Sequence, residues 1–180
     1  MFIEFIHRHL GVCSYKDLPR FAKSDPKFWN LISLLGPEAP DPAKSGFRDH
    51  HRACFHDVGS SDGEGNTLAN LETMRAVLKF VDRRPGEPML VHCAMGVSRS
   101  TATALVILLR GAIAEGTPDT VAACVDAIFQ IRPQARPNSF VLFTGLQCFL
   151  GDAEAKAVLK KAYADPRMGI LRNPMVLGGD

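Results

Sequence analysis

No two cysteines of this chain stand in a C-x2-C pair, and the five present (Cys13, Cys54, Cys93, Cys124 and Cys148) are odd in number and irregularly spaced. The first absence argues against a thiolate zinc site, the second against the disulfide framework of a small secreted protein. A long apolar run is missing too. The longest, TATALVILL (101–109), reaches about half of a ~20-residue membrane span and stops at Arg110. MFIEFIHRHL at the N-terminus has no basic residue ahead of its apolar ones and no A-x-A site, so it makes a poor secretory leader. Charge is not in surplus: a net +2 at pH 7 lacks the basic stripe of a nucleic-acid binder, although a cationic pocket for a small anion is compatible with it. HExxH, Walker and dinucleotide signatures are absent. The expectation is a cytoplasmic protein with no nucleic-acid partner and no membrane partner.

What is present suits one domain of 180 residues with 46% hydrophobic content, long enough to bury a real core. FIEFI (2–6), the continuous apolar LISLL (31–35) and the weakly alternating RACFHDV (52–58) read as strands. A short helix fits the Pro-punctuated stretch 16–30. The segments 36–46 and 59–66 are rich in Gly, Pro and polar residues and read as loops. From Thr67 to Arg84, Leu68, Leu71, Met74, Val77, Leu78 and Val81 recur at helical spacing until PGEP (85–88) interrupts them. MLVHC (89–93) is a buried strand, and 100–115 a helix apolar nearly all round. Further helices fit 118–131, 138–150 and 153–163, before a loop-like end. Strands alternating with helices predict an α/β domain with a mostly parallel sheet flanked by helices, whose ligands bind beyond the carboxyl ends of the strands.

That edge is where the stretch VHCAMGVSRSTA (91–102) falls. Cys93 ends a strand, and Ala94, Met95, Gly96, Val97 and Ser98 form a loop of small and medium residues. Arg99 follows at a helix start. Such a loop can turn successive N–H groups inward as an anion nest, reinforced by the helix N-terminus. A guanidinium fork matches two phosphate oxygens. The same donors favour a thiolate at Cys93, and a thiolate facing a captured phosphate is a nucleophile. Among the five cysteines, only Cys93 has an arginine six residues on. His92 reads either as an orienting residue bonded to nearby backbone or as a core histidine. Ser100 reads as a hydroxyl aimed at the sulfur or as a first-turn helix residue.

On His92, Cys93, Gly96, Ser98, Arg99 and Ser100, which match an HC-x5-R-[ST] loop, the chain resembles the cysteine-dependent protein tyrosine phosphatases, in their dual-specificity-like branch. RPQARPNSF (132–140) resembles a later segment of these enzymes, and ISLLGPEAP with the NPMVL tail is similar to a group of small bacterial members. The resemblance implies a single phosphatase domain over 1–165 with a tail at 166–180. It implies a phosphocysteine intermediate and neither metal nor cofactor. The partner is a phosphorylated protein or another phosphomonoester. A general acid belongs on a loop after the preceding strand, within reach of the leaving oxygen. Asp57 is preferred, with Asp62 the alternative. Asn138 either braces the phosphate loop or caps the helix that starts there.

Adjacent histidines on a strand point to opposite faces, so His50, His51 and His56 make a poor metal cluster. Cys54 would be the partner if this chain protects its nucleophile as a disulfide, as some relatives do. Alternatives to a protein phosphatase stay open: a phosphoinositide or nucleotide phosphatase, a phosphate-binding module without turnover, and a rhodanese-like sulfurtransferase. AMGVS carries no lysine, which disfavours the lipid-directed variant.

Overall fold

The computed structural model describes residues 1–42, 46–59 and 65–169. Among these residues five strands form one sheet in the order β1-β2-β5-β3-β4: β1 (Phe2–Ile3), β2 (Arg8–Ser14), β3 (Asn30–Leu35), β4 (Asp49–Cys54) and β5 (Met89–Cys93). Only β1 runs antiparallel, against β2; the β2–β5, β5–β3 and β3–β4 pairs are parallel. Every residue of β3 and β5 is buried, as a parallel sheet covered on both faces requires.

Helix α1 (Leu18–Ser24) lies on one face, where Cys13, Leu18, Trp29, Leu31, Phe47 and Leu90 form a small core. The opposite face carries α2 (Leu71–Asp82), α3 (Arg99–Ala114), α4 (Thr120–Ile131), α5 (Ser139–Leu146) and α6 (Asp152–Tyr163). Alternation along the strands sorts the side chains: Leu90 enters the small core, and Met89, Val91 and Cys93 the large one. Helix α3 is buried from Arg99 to Leu109 and packs against β5, β2, α4 and α5, which accounts for its lack of a polar stripe. Asn70 caps α2 by accepting from the Thr73 amide at 2.9 Å, so the helix starts four residues after the expected Thr67. Beyond α6, a 3-10 turn (Pro166–Met168) returns Met168 to the large core.

Three expectations need correction. Only Phe2–Ile3 of FIEFI is extended; Glu4–Ile6 is a 3-10 turn. The third expected strand is shifted, occupying Asp49–Cys54 rather than 52–58, so Phe55, His56 and Asp57 lie on the loop beyond it. Strand β2 was not expected at all. Its RHLGVCS breaks the apolar pattern with Gly11, yet a Cβ there would sit 3.0 Å from Leu90 Cδ1 and 3.4 Å from the Trp29 ring. The glycine makes room for the core of the smaller face.

Because β2, β5, β3 and β4 run parallel, the segments after Ser14, Cys93, Leu35 and Cys54 emerge along one edge. Strand β5, late in the chain, is inserted between β2 and β3. A chain reversal of this kind opens a crevice at the carboxyl edge.

Candidate active site

Cys93, the last residue of β5, is 2% exposed. Its Sγ lies 3.2 Å from Ser100 Oγ and accepts a hydrogen bond from the Gly96 amide at 3.2 Å. Burial alone would push this thiol up. The Ser100 hydroxyl, the backbone amides of Ser100 and Val97, and the Arg99 charge outweigh burial and hold it below the ordinary thiol value. The Ser100 amide belongs to the first turn of α3, the positive end of the helix dipole.

What turns the loop's N–H groups inward is the fate of its carbonyls. The Tyr15 amide donates to Ala94 O at 3.2 Å. Arg132 donates to Met95 O at 3.2 Å through Nη2 and to Gly96 O at 2.9 Å through Nε. The Arg136 amide donates to Val97 O at 2.9 Å, and the Ala102 amide to Ser98 O at 3.0 Å. All five carbonyls from 94 to 98 are engaged away from the sulfur, and a trans peptide then aims its N–H groups the other way. Gly96 has φ +67, and a Cβ there would stand 2.4 Å from the Cys13 carbonyl carbon and 2.6 Å from the Ser14 nitrogen. Both the left-handed backbone and the contact with β2 demand glycine at this position.

Arg99 is 7% exposed; its Nη1 donates to the Phe55 carbonyl at 2.7 Å. Its Nε is buried with no hydrogen-bond partner among the described residues. A buried guanidinium N–H left over in this way is a donor ready for an anion.

Asp57, on the loop after β4, reaches this mouth. Its Oδ1 accepts from Ser98 Oγ at 2.7 Å and from Asn138 Nδ2 at 2.9 Å. Asn138 also caps α5, its Oδ1 accepting from the Phe140 and Val141 amides; its side chain bonds Asp57 and the Val58 carbonyl rather than the phosphate loop itself. Asp62 lies outside the described residues.

His92 is fully buried, and burial pushes its imidazole down to about 4, aided by the charges of His50 and Arg99. Its Nε2 meets Ser33 Oγ at 2.5 Å, and Ser33 Oγ meets His50 Nε2 at 2.8 Å. Beside the Ser33 side chain, in register with His92 across β3–β5, the ring also meets the backbone of Cys93. The other two histidines of the sequence cluster lead elsewhere: His51 stacks on Phe80 at 5.4 Å, and His56 bonds Glu38 and Thr67.

Cys54 does not fit a disulfide with Cys93. It ends β4, two strand spacings or about 9.6 Å from β5, beyond the roughly 7 Å between Cα atoms that a disulfide tolerates.

The structure thus brings Cys93, Ala94, Met95, Gly96, Val97, Ser98, Arg99, Ser100, His92, Asp57 and Asn138 to one place. Sequence reasoning missed Arg132, Arg136 and Ser33. The two arginines stand in the quoted RPQAR segment, but their purpose depends on α4 delivering them to the loop, and no spacing encodes that.

No protein-family model and no curated protein matches the sequence. Solved structures do match. Human DUSP28 aligns at 22% identity over 86% of this chain and 94% of its own, with a TM-score of 0.52. The Orf virus tyrosine phosphatase OH1 aligns at 20% identity over 82% and 85%, with a TM-score of 0.54. The chain has the dual-specificity phosphatase fold. Human tyrosine phosphatase-like serine/threonine/tyrosine-interacting protein shares it as well, at 16% identity over 89% and 94% and a TM-score of 0.52. A dual-specificity phosphatase fold is therefore also found in a protein named for interaction, and activity has to be argued from side chains.

Proposed function

We propose that the protein is a cysteine-based phosphomonoester hydrolase acting on phosphotyrosine in proteins, with phosphoserine and phosphothreonine as further substrates. The observation that carries the reading is the pairing of Cys93, whose sulfur is hydrogen-bonded by Ser100 and the Gly96 amide, with a buried, unpartnered Nε on Arg99. A thiolate and an anion clamp share one loop.

In the first step the Cys93 thiolate attacks phosphorus and a P–S bond forms as the P–O bond to the substrate breaks. Asp57, as the carboxylic acid, gives its proton to the departing oxygen. Arg99 and the loop amides hold the equatorial oxygens as charge spreads over them. In the second step the Asp57 carboxylate takes a proton from water, whose oxygen attacks phosphorus. The P–S bond breaks, inorganic phosphate leaves, and the Ser100 hydroxyl donates to the thiolate as it departs. Proton and phosphate balance over the cycle with no metal or cofactor in any step. His92, fully buried and beside the Ser33 hydroxyl, orients rather than transfers.

The same reading takes residues 1–165 as one phosphatase domain and 166–180 as a tail. Kinship with small bacterial members rests on ISLLGPEAP and on NPMVL, the latter outside the described residues. A cytoplasmic location rests on the unpaired cysteines and on a nucleophile that must stay reduced. No helix among the described residues is long and apolar enough to cross a membrane. The binding-module and sulfurtransferase readings draw no specific support: Cys93, Arg99 and an aspartate at the mouth are all in place.

Hydrolysis of para-nitrophenyl phosphate by reduced protein in EDTA tests the proposal. We expect turnover that vanadate inhibits and that Cys93→Ser abolishes while phosphate binding survives. Asp57→Ala should lower kcat/KM for phenyl phosphate by about 10²–10³, within the usual worth of a general acid. Turnover that survives in Cys93→Ser, or that EDTA removes, would sink the reading.

A further inference from the structure

His56 stands between Phe55, whose carbonyl receives Arg99, and Asp57, whose carboxylate overhangs the loop. Its backbone and its ring both do something specific. The His56 amide donates to the Thr67 carbonyl at 2.8 Å, and the Thr67 amide donates back to His56 Nδ1 at 2.9 Å. On the far side of the ring, Nε2 meets Glu38 Oε2 at 3.0 Å. Glu38 belongs to the segment after β3.

These partners fix the tautomer. A ring nitrogen that accepts from a backbone N–H carries no proton itself, so Nδ1 is bare and the proton sits on Nε2. Nε2 then donates to the Glu38 carboxylate. One neutral imidazole joins three segments of the carboxyl edge: the turn after β3, the loop after β4, and the approach to α2. The reciprocal His56–Thr67 pair holds residues 56 and 67 side by side and sets the direction in which the chain leaves toward Asp57. Ser98 grips the Asp57 carboxylate, and Asn138 grips that carboxylate and, at 3.4 Å, the Val58 carbonyl beyond it; on the side from which the chain enters, the backbone is set from His56.

Resting on the phosphatase reading, we propose that His56 is a positioning residue for proton donation: its ring, through the Thr67 amide, holds Asp57 at the height of the leaving oxygen. It touches neither phosphate nor sulfur. The bond to Thr67 is the one that matters, and Glu38 selects the tautomer able to make it. General-acid catalysis is sensitive to such support, because an ångström of misplacement costs orders of magnitude and the proton is needed only when the leaving group is a poor one.

Two substitutions separate the two ring nitrogens. In His56→Asn the amide oxygen stands where Nδ1 accepts from Thr67; in His56→Gln the longer amide reaches toward Glu38 and leaves Thr67 without its acceptor. The readout is kcat/KM for phenyl phosphate, whose leaving group needs a proton, against 2,4-dinitrophenyl phosphate, whose leaving group does not. For His56→Gln we expect a loss of about 10- to 30-fold on phenyl phosphate and less than about twofold on the dinitrophenyl ester. His56→Asn should restore most of the phenyl phosphate rate.

Independently of turnover, nitrogen NMR should show the Nε2–H tautomer in the full-length protein. Thr67 amide exchange should be slow in wild type and in His56→Asn, and faster by about tenfold or more in His56→Gln. Equal losses on both esters in His56→Gln, a proton on Nδ1, or unchanged Thr67 exchange would each overturn the inference while leaving the phosphatase reading intact. A wild-type protein inert toward both esters would overturn the phosphatase reading, and the role of His56 with it.

Discussion

Cys13 and Cys93 stand at the ends of adjacent parallel strands, one register step apart, and are 1% and 2% exposed. Their chemistry diverges completely. Burial pushes the Cys13 thiol up to about 12, with the nearby Asp17 charge adding to it and Arg132 only partly offsetting it. Cys93, as deeply buried, is held below the ordinary thiol value. The difference lies in the face of the sheet. Cys13 points into the small core with Leu18, Trp29, Leu31, Phe47 and Leu90, and among the described residues no hydrogen bond lowers its thiol. Cys93 points to the other face, where a loop of outward carbonyls, a serine hydroxyl and a helix start converge. Burial by itself makes an inert thiol; burial among oriented donors makes a reactive one.

The comparison can be broken or sharpened in four ways, from the largest effect downward. Iodoacetate at pH 6.5 should alkylate Cys93 in the native protein faster than Cys13 by more than about 10³-fold, as their thiolate fractions dictate. Mass mapping of the labelled peptides measures this, and comparable labelling of both would refute the contrast. Removing one donor should move Cys93 toward its neighbour. In Ser100→Ala the pH midpoint of its alkylation should rise by about one unit, the worth of one charge-assisted hydrogen bond. Under the proposed mechanism, phosphocysteine hydrolysis should slow by about tenfold.

The third concerns the residue before the nucleophile. His92 is neutral when folded, with its value lowered to about 4, whereas the unfolded chain protonates near 6.5. Between those values the unfolded state binds the extra proton. Stability is therefore intact above pH 6.5 and falls on acidification toward pH 4, by on the order of 3 kcal/mol. Urea unfolding across that window, beside His92→Asn, reads the slope; a flat wild-type profile would contradict the burial argument. Last and smallest, Cys13→Val should change stability by less than about 1 kcal/mol, as a swap of similar volume does. It should leave kcat/KM within about twofold. A large loss of activity would mean that the two cysteines are coupled after all.

How much of this was legible beforehand depended on whether the information was local. MLVHC-AMGVSRS could be read because strand, loop, arginine and helix start are contiguous, and the structure places them as one unit. Strand β3 was legible for the same reason, being apolar throughout. Strand β2 was not, since Gly11 has its purpose only against Leu90 and Trp29. β4 was placed three residues late because an edge strand with exposed positions takes its bounds from pairing with β3 rather than from apolar content. At the site, Asp57 and Asn138 were within reach of sequence reasoning, and their mutual hydrogen bond was not. Arg132, Ser33 and the His56–Thr67 pair carry meaning only in contacts made across the fold.

The three carbonyls bonded by Arg132 and Arg136 have a consequence for the order in which the protein comes into being. A domain is synthesised from its N-terminus and folds as a unit. A growing chain that has emerged through α3 already carries Cys93, its loop, Arg99, Ser100 and Asp57. It still lacks Arg132, which bonds the Met95 and Gly96 carbonyls, and the Arg136 amide, which joins Thr101 on that of Val97, and Asn138, which secures the aspartate, arrives last. Cys93 is made early and its surroundings are completed late: until the polypeptide extends past residue 138, the nascent protein holds Cys93, Arg99 and Asp57 and no finished cradle around them.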